Sequence, residues 1–229
     1  MNADLLLSSG FLAFGRHIGV LRAVLRSRLA IEAVVGTSSG SVVGALWLAG
    51  MTPEAIQAEL QQYRPLQLLR LAPTPWHGVL SMAPFRDWLA QHLPANIEDL
   101  PRPFAVGVVD LQGRHRLLTQ GPLAPAIAAS CAMPRVFQAV DVAGEKLADG
   151  GAGDRLGVDA WRQWRPQRRA LANQVARTSG KDVAADLRDV WLVQTPRSGA
   201  SFLNLGDIAA QAAVAEAIAW RVVLDAGLG

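Results

Sequence analysis

The chain has 229 residues, 51% of them hydrophobic and 18% charged, with a formal net charge of +3 at neutral pH. That length and apolar content suit one compact domain spanning 1–229 with a substantial core, and no Ser/Gly/Pro-rich linker, charge block or internal repeat divides it. The small net charge and the lack of a reader motif argue against nucleic acid, and Cys131, the only cysteine, excludes an internal disulfide.

The apolar stretches are interrupted by charges or glycines and fall short of a membrane span. The start, Met1 to Leu7, lacks a basic n-region and carries Asp4, so it does not read as a secretory signal. A cytoplasmic chain is expected. From Arg155 to Arg177 six arginines stand against one acid, Asp159, with Trp161 and Trp164 among them. This segment reads either as a solvated surface helix whose tryptophans pack inward or as a peripheral contact for an anionic membrane.

Leu5 to Ser8 reads as a first buried strand, followed by Ser9-Gly10-Phe11 and an amphipathic helix from Arg16 to Arg28 whose stripe is Ile18, Leu21, Val24 and Leu25. Ile31 to Val35 is a second strand, and an Ala-rich apolar helix runs on to Gly50. Between these two lies Gly36-x-Ser38-x-Gly40. A serine at such a strand-to-helix turn is held strained with its Oγ exposed, and the flanking glycines remove side chains that would clash in the bend. The helix N-terminus then offers N–H groups to an oxyanion. Ser38 is therefore the candidate nucleophile. On these residues alone, a turn that merely joins strand to helix, or one that cradles a phosphate, fits as well.

Thr52-Pro53-Glu54 starts a helix to about Tyr63, residues 64 to 82 are irregular, and Pro84 to His92 is again helical. The leucines from Leu66 to Leu80 suit an acyl-chain wall or lid. Phe104 to Leu111 and His115 to Thr119 read as neighbouring strands, and Pro122 to Ala132 as an Ala-rich helix. Gln138 to Val142 and Glu145 to Ala148 form a hairpin leading to Asp149-Gly150-Gly151. Arg188 to Gln194 is a late strand, and Leu205 to Leu224 a closing helix.

Ser38 needs a base. The histidines are His17, His77, His92 and His115, and none occupies the late loop where a Ser–acid–His triad would place one. Asp149 ends a strand and is followed by two glycines that permit close backbone approach, so it is the better candidate. No His/Cys/acid cluster has metal-ligand spacing, and no cofactor is implied.

Four pieces in order resemble the patatin-like phospholipases. They are Ser8-Ser9-Gly10-Phe11 leading to His17-Ile18-Gly19-Val20-Leu21, then Gly36 to Ala45, then Ala129 to Phe137, then Asp149-Gly150-Gly151. The resemblance covers about the first two-thirds of the chain. It implies a three-layer α/β/α sandwich with a mostly parallel sheet, and hydrolysis of lipid acyl esters by a Ser38–Asp149 dyad without histidine. It also implies an oxyanion hole from backbone N–H groups of Gly10, Phe11 and Ser39. The family's glycine run is shortened here to Ser9-Gly10-Phe11, and its usual basic residue falls at Ala13, with Arg16 nearby. An acyltransferase using the same nucleophile, and a catalytically weak binding protein of the same fold, are the rival readings.

Overall fold

The computed structural model describes residues 1–72, 78–177, 182 and 184–229. In chain order it begins with β1 (Asn2–Leu7), α1 (Phe14–Arg26), β2 (Ala30–Thr37), α2 (Ser39–Leu48) and α3 (Pro53–Gln61). A small hairpin, β3 (Arg70–Leu71) and β4 (Leu80–Ser81), precedes α4 (Ala83–His92), β5 (Phe104–Asp110), β6 (His115–Leu118) and α5 (Leu123–Ser130). The chain closes through β7 (Val140–Val142), β8 (Glu145–Asp149), α6 (Val158–Trp164), β9 (Ala170–Val175), β10 (Val190–Thr195) and α7 (Ile208–Asp225).

Strands β10, β9, β1, β2 and β5 lie side by side in that order and all run parallel. β6, β7 and β8 add antiparallel pairs around β5. The expected mostly parallel sheet with helices on both faces is what forms. Successive side chains of a strand point to opposite faces, and β1 shows it: Leu5 and Leu7 enter the larger core while Leu6 enters the smaller one. The larger core takes its helical side chains from α1, α2, α3, α4, α5 and α7. The smaller one is closed by α6 through Val158 and Trp161, against Val35, Ala105, Ala170 and Ala172.

The arginine-rich segment is not one surface helix. It divides into the short α6 and then β9, a fully paired strand between β1 and β10. Ala-Leu-Ala-Asn-Gln-Val has weak strand propensity, and burial between two neighbours overrides it. Trp161 does pack inward, fully buried, and its Nε1–H donates to Asp4 at 2.9 Å. The arginines are largely engaged in ion pairs: Arg165 with Asp4 at 3.1 Å, Arg168 with Glu32 at 2.7 Å and Arg169 with Asp189 at 3.6 Å.

The registers on β5 fix where the ends of β2 and β8 meet. β2 pairs with 104–107 and β8 with 108–110, while β6 pairs across 106–109. A strand has two edges, so β6 occupies one, and β2 and β8 share the other, approaching end to end from opposite directions. Thr37 faces Gly107 and Asp149 faces Val108. α2 meanwhile settles onto β1, with Gly40 so close that a Cβ there would fall on the Leu7 carbonyl.

Gly40→Ala should therefore destabilise the fold by about 3 kcal/mol, the upper part of the range for overpacking. Gly44→Ala, whose Cβ would meet only side-chain atoms at 3.1 and 3.3 Å, should cost less. Denaturant unfolding of both variants measures the difference.

Candidate active site

β2 ends at Thr37 and α2 begins at Ser39, so Ser38 alone makes the bend, with φ 53° and ψ −124°. A positive φ at serine costs about 1–3 kcal/mol and needs surrounding structure to hold it. The Ser38 carbonyl accepts from Ser41 N–H at 2.9 Å and from the Ser41 hydroxyl at 2.7 Å. Its N–H donates to Ser130 Oγ at 2.8 Å, and that hydroxyl donates to the Gly107 carbonyl at 2.6 Å. Ser130 of α5 thus ties the elbow to β5. Its place in Ala129-Ser130-Cys131-Ala132 was visible in the sequence, but its role was not.

Asp149 arrives from the other side. Its N–H donates to the Ala132 carbonyl, just past the end of α5, at 3.0 Å, and its Oδ1 accepts from Gly151 N–H at 2.7 Å. Gly150 fits here because a Cβ would fall on the Gly107 carbonyl. Asp149 is 4% exposed and lines the same cavity as Ser38. Burial pushes its pKa up to about 7, against the lowering effect of the Gly151 and Ser38 hydrogen bonds and the Arg155 charge. Beside the pair, the Cys131 thiol is pushed well above its ordinary range, first by desolvation and then by the Asp149 charge, so it stays protonated.

The loop after β1 crosses in front of the elbow, and its carbonyls are tied down. Ser9 O accepts from Arg155 Nη2 at 2.9 Å, Gly10 O from the Ser39 hydroxyl at 2.7 Å, and Phe11 O from the Ser198 hydroxyl at 2.6 Å. Among the described residues, no acceptor takes the N–H of Gly10 or Phe11. The N–H of Ser39, first in α2, has no partner within its helix either. All three residues line the same cavity as Ser38 and Asp149.

The histidines divide clearly. His17 is fully buried, with Nε2 3.2 Å from Ser39 Oγ and Nδ1 3.0 Å from Asn173 Nδ2, and Asn173 Oδ1 accepts from Thr195 Oγ1 at 3.0 Å. Since the Ser39 hydroxyl hydrogen is committed to Gly10, His17 donates through Nε2 and accepts at Nδ1. Burial holds its pKa at about 3, so it stays neutral. His92 pairs with Glu59 at 3.1 Å and His115 lies against Gly157; neither lines the cavity. His77 lies outside the described residues. Arg16 does not turn into the site: its guanidinium donates to the carbonyls of Gln211 and Arg197, each at 3.0 Å.

The cavity has a volume of about 810 Å³. One wall is apolar, with Leu60, Leu68, Leu69, Met82, Phe85 and Phe137. The leucine stretch contributes to it in part, since Leu66 and Leu71 point outward and 73–77 lie outside the described residues. Among the described residues, no group of three His, Cys, Asp or Glu side chains stands close enough to hold a metal ion.

The arrangement has relatives. An uncharacterized NTE family protein of Mycobacterium tuberculosis is 35% identical over 156 residues, covering 66% of this chain and 43% of that protein. The neuropathy target esterase sws of Drosophila persimilis is 29% identical over 159 residues, covering 64% of this chain and 11% of that protein. The chain therefore spans less than half the length of these curated relatives. Among solved structures, VipD from Legionella pneumophila matches with a TM-score of 0.55 at 14% identity, over 97% of this chain and 67% of that one. ExoU in its complex with SpcU from Pseudomonas aeruginosa matches with a TM-score of 0.52 at 15% identity, over 97% of this chain and 51% of that one. These two likenesses bear on the fold alone. The patatin-like phospholipase profile matches residues 5–161, taking in the Gly10 loop, the Ser38 elbow and Asp149, and the chain belongs to that family.

Proposed function

We propose that the chain hydrolyses acyl esters of lipids through a Ser38–Asp149 dyad. The observation that carries this reading is that a strained, half-buried serine and a buried carboxyl whose pKa is raised to about 7 line one cavity, brought there by the facing ends of β2 and β8. Family membership supports the lipid ester as substrate, and the apolar wall supports an acyl chain.

In this reading Ser38 Oγ attacks the ester carbonyl carbon as its proton passes to the Asp149 carboxylate. An aspartate at its ordinary pKa is a weak base for an alcohol, and burial brings Asp149 into a useful range. The N–H groups of Gly10, Phe11 and Ser39 receive the oxyanion. The tetrahedral adduct collapses, the leaving alcohol takes the proton from Asp149, and an acyl-enzyme is left. Water then attacks the acyl carbon with Asp149 again accepting a proton, the bond to Ser38 Oγ breaks as that oxygen takes the proton back from Asp149, and the fatty acid departs.

Ser38→Ala should reduce ester hydrolysis to background and abolish labelling by a fluorophosphonate. Asp149→Asn should lower kcat/KM by about 10²–10⁴-fold, the usual worth of a general base. His92→Ala and His115→Ala should retain activity. Initial rates beside thermal melts test all four, and near-normal rates for Asp149→Asn would refute the dyad.

The pH profile depends on the same carboxyl. The base must be ionised, so kcat/KM should rise as pH increases through about 7 and level off above it. Stability runs the other way. With its folded pKa raised above the ordinary 3.8, Asp149 contributes stability that is complete below 3.8 and lost as pH rises through about 7. Asp149→Asn should then gain in melting temperature over the parent at pH 8 relative to pH 4.

Chain length is checked separately. Across a p-nitrophenyl ester series, medium and long acyl chains should exceed acetyl in kcat/KM, and a steady fall with length would point to a small-ester esterase instead.

A further inference from the structure

The cavity is not apolar throughout. At its other end it is lined by Arg155, Arg177 and Arg197, which stand just beyond the 150–152 turn, β9 and β10. Their placement comes from the topology. The parallel sheet grows from β1 through β2 to β5 on one side, and β9 and β10 are added on the other. Ligands of such sheets bind off the carboxyl ends of the strands, where this order reverses. With strands about 4.8 Å apart, the ends of β9 and β10 lie roughly 10 and 14 Å from the end of β2, where Ser38 sits. Arginine side chains from these two loops shorten that gap to the span between an ester carbonyl and a polar headgroup.

The arginines at this end are engaged unequally. Arg155 Nη1 and Arg177 Nη1 reach the same oxygen of one carboxylate, Asp182 Oδ1, at 3.3 and 3.2 Å. The other oxygen of Asp182 accepts from Gln174 at 3.0 Å. Arg197 is exposed, and its side chain has no hydrogen-bond or ion-pair partner among the described residues. The acid that lines the cavity, Asp149, has its pKa raised to about 7 by burial. Among the described residues, Arg155 and Arg177 are thus engaged with Asp182, while the Arg197 guanidinium has no such partner.

The backbone that carries Arg197 is held in place. Arg16 donates to the Arg197 carbonyl at 3.0 Å, and the next residue, Ser198, donates through its hydroxyl to Phe11 O at 2.6 Å. The loop that carries Arg197 is therefore fastened to the loop proposed to bind the oxyanion. The backbone that carries the guanidinium is thereby set at a defined distance from that loop, and the side chain itself remains open to a ligand. Guanidinium groups suit phosphate oxygens in particular, because they present parallel N–H donors.

We propose that the cavity end at Arg197, two residues beyond β10, is a subsite for the phosphate of a lipid ester with a net negative headgroup, with Arg197 as its ligand and the acyl chain on the opposite, apolar wall. This rests on the hydrolase reading for its biological meaning, but its test does not need turnover. Ser38→Ala protein is titrated with dodecyl phosphate and with the neutral 1-dodecyl glycerol ether, both below their micelle concentrations, by calorimetry. The phosphate should bind more tightly, and the ratio of the two affinities should fall about 10-fold or more with Arg197→Ala added. Arg197→Lys should restore part of the ratio, and Arg197→Glu should lower it further. Because a ratio is read within each protein, partial loss of folded material cancels.

Inorganic phosphate in about 10-fold excess over dodecyl phosphate should compete weakly; free phosphate that binds as tightly as dodecyl phosphate would overturn the lipid headgroup and make the subsite one for phosphate itself. Equal affinities for the two amphiphiles, or a ratio that Arg197→Ala leaves unchanged, would overturn the subsite. A parallel assay on the Ser38 protein compares 1-acyl-lysophosphatidate with the monoacylglycerol of the same chain. Failure to cleave either one would overturn the hydrolase reading while leaving the binding result standing, so the two failures are distinguishable.

Discussion

The site depends on one feature of the sheet: two strands that end on the same edge of β5 from opposite directions. β2 ends with Thr37 opposite Gly107, one residue before Ser38, and β8 ends with Asp149 opposite the adjacent Val108. Neither strand could run further without colliding with the other, so each must turn away there. The turns are the elbow and the Asp149-Gly150-Gly151 bend. α5 secures both from behind, through Ser130 to the Ser38 N–H and through the Ala132 carbonyl to the Asp149 N–H. A single short helix thus fixes two residues that lie 111 positions apart in the chain.

In front, the loop after β1 is held by groups from three other parts of the chain. Arg155, Ser39 and Ser198 each take one successive carbonyl, at residues 9, 10 and 11. This accounts for how a loop with only one glycine can hold a defined shape, where the resemblance led one to expect a longer glycine run. The carbonyls are occupied by side chains, so among the described residues the N–H groups of Gly10 and Phe11 are the free polar functions of the loop. The His17–Asn173–Thr195 chain extends the support inward to β9 and β10. A neutral imidazole is required to carry it, and desolvation keeps His17 in that state.

Much of this architecture is legible in the sequence, for physical reasons that can be named. The elbow announces itself because glycines at 36 and 40 serve one bend, and the strand and helix on either side have strong apolar runs. The hairpin ending in Asp149 is marked by Ala143-Gly144 between alternating segments. β9 is not legible, because alanine, asparagine and glutamine gain strand structure only from the neighbours that bury them. The support roles of Ser130, Ser198, Arg155 and Asn173 are also hidden. Each bonds a partner at least 20 residues away, and no local pattern records such a contact. The membrane-facing reading of the arginine segment loses its simplest support for the same reason: the acids that pair with it, Asp4 and Glu32, come from the opposite end of the chain.

The backbone at Ser38 also selects among nucleophiles by shape. A hydroxyl is all that the attack requires, and threonine carries one. With φ at 53° and ψ at −124°, however, a second substituent on Cβ would be pressed against the main chain on either side of the bend. Unbranched side chains escape that conflict. The elbow therefore admits serine, or in principle cysteine, and shuts out threonine on steric grounds alone, although the two alcohols differ by one methyl group.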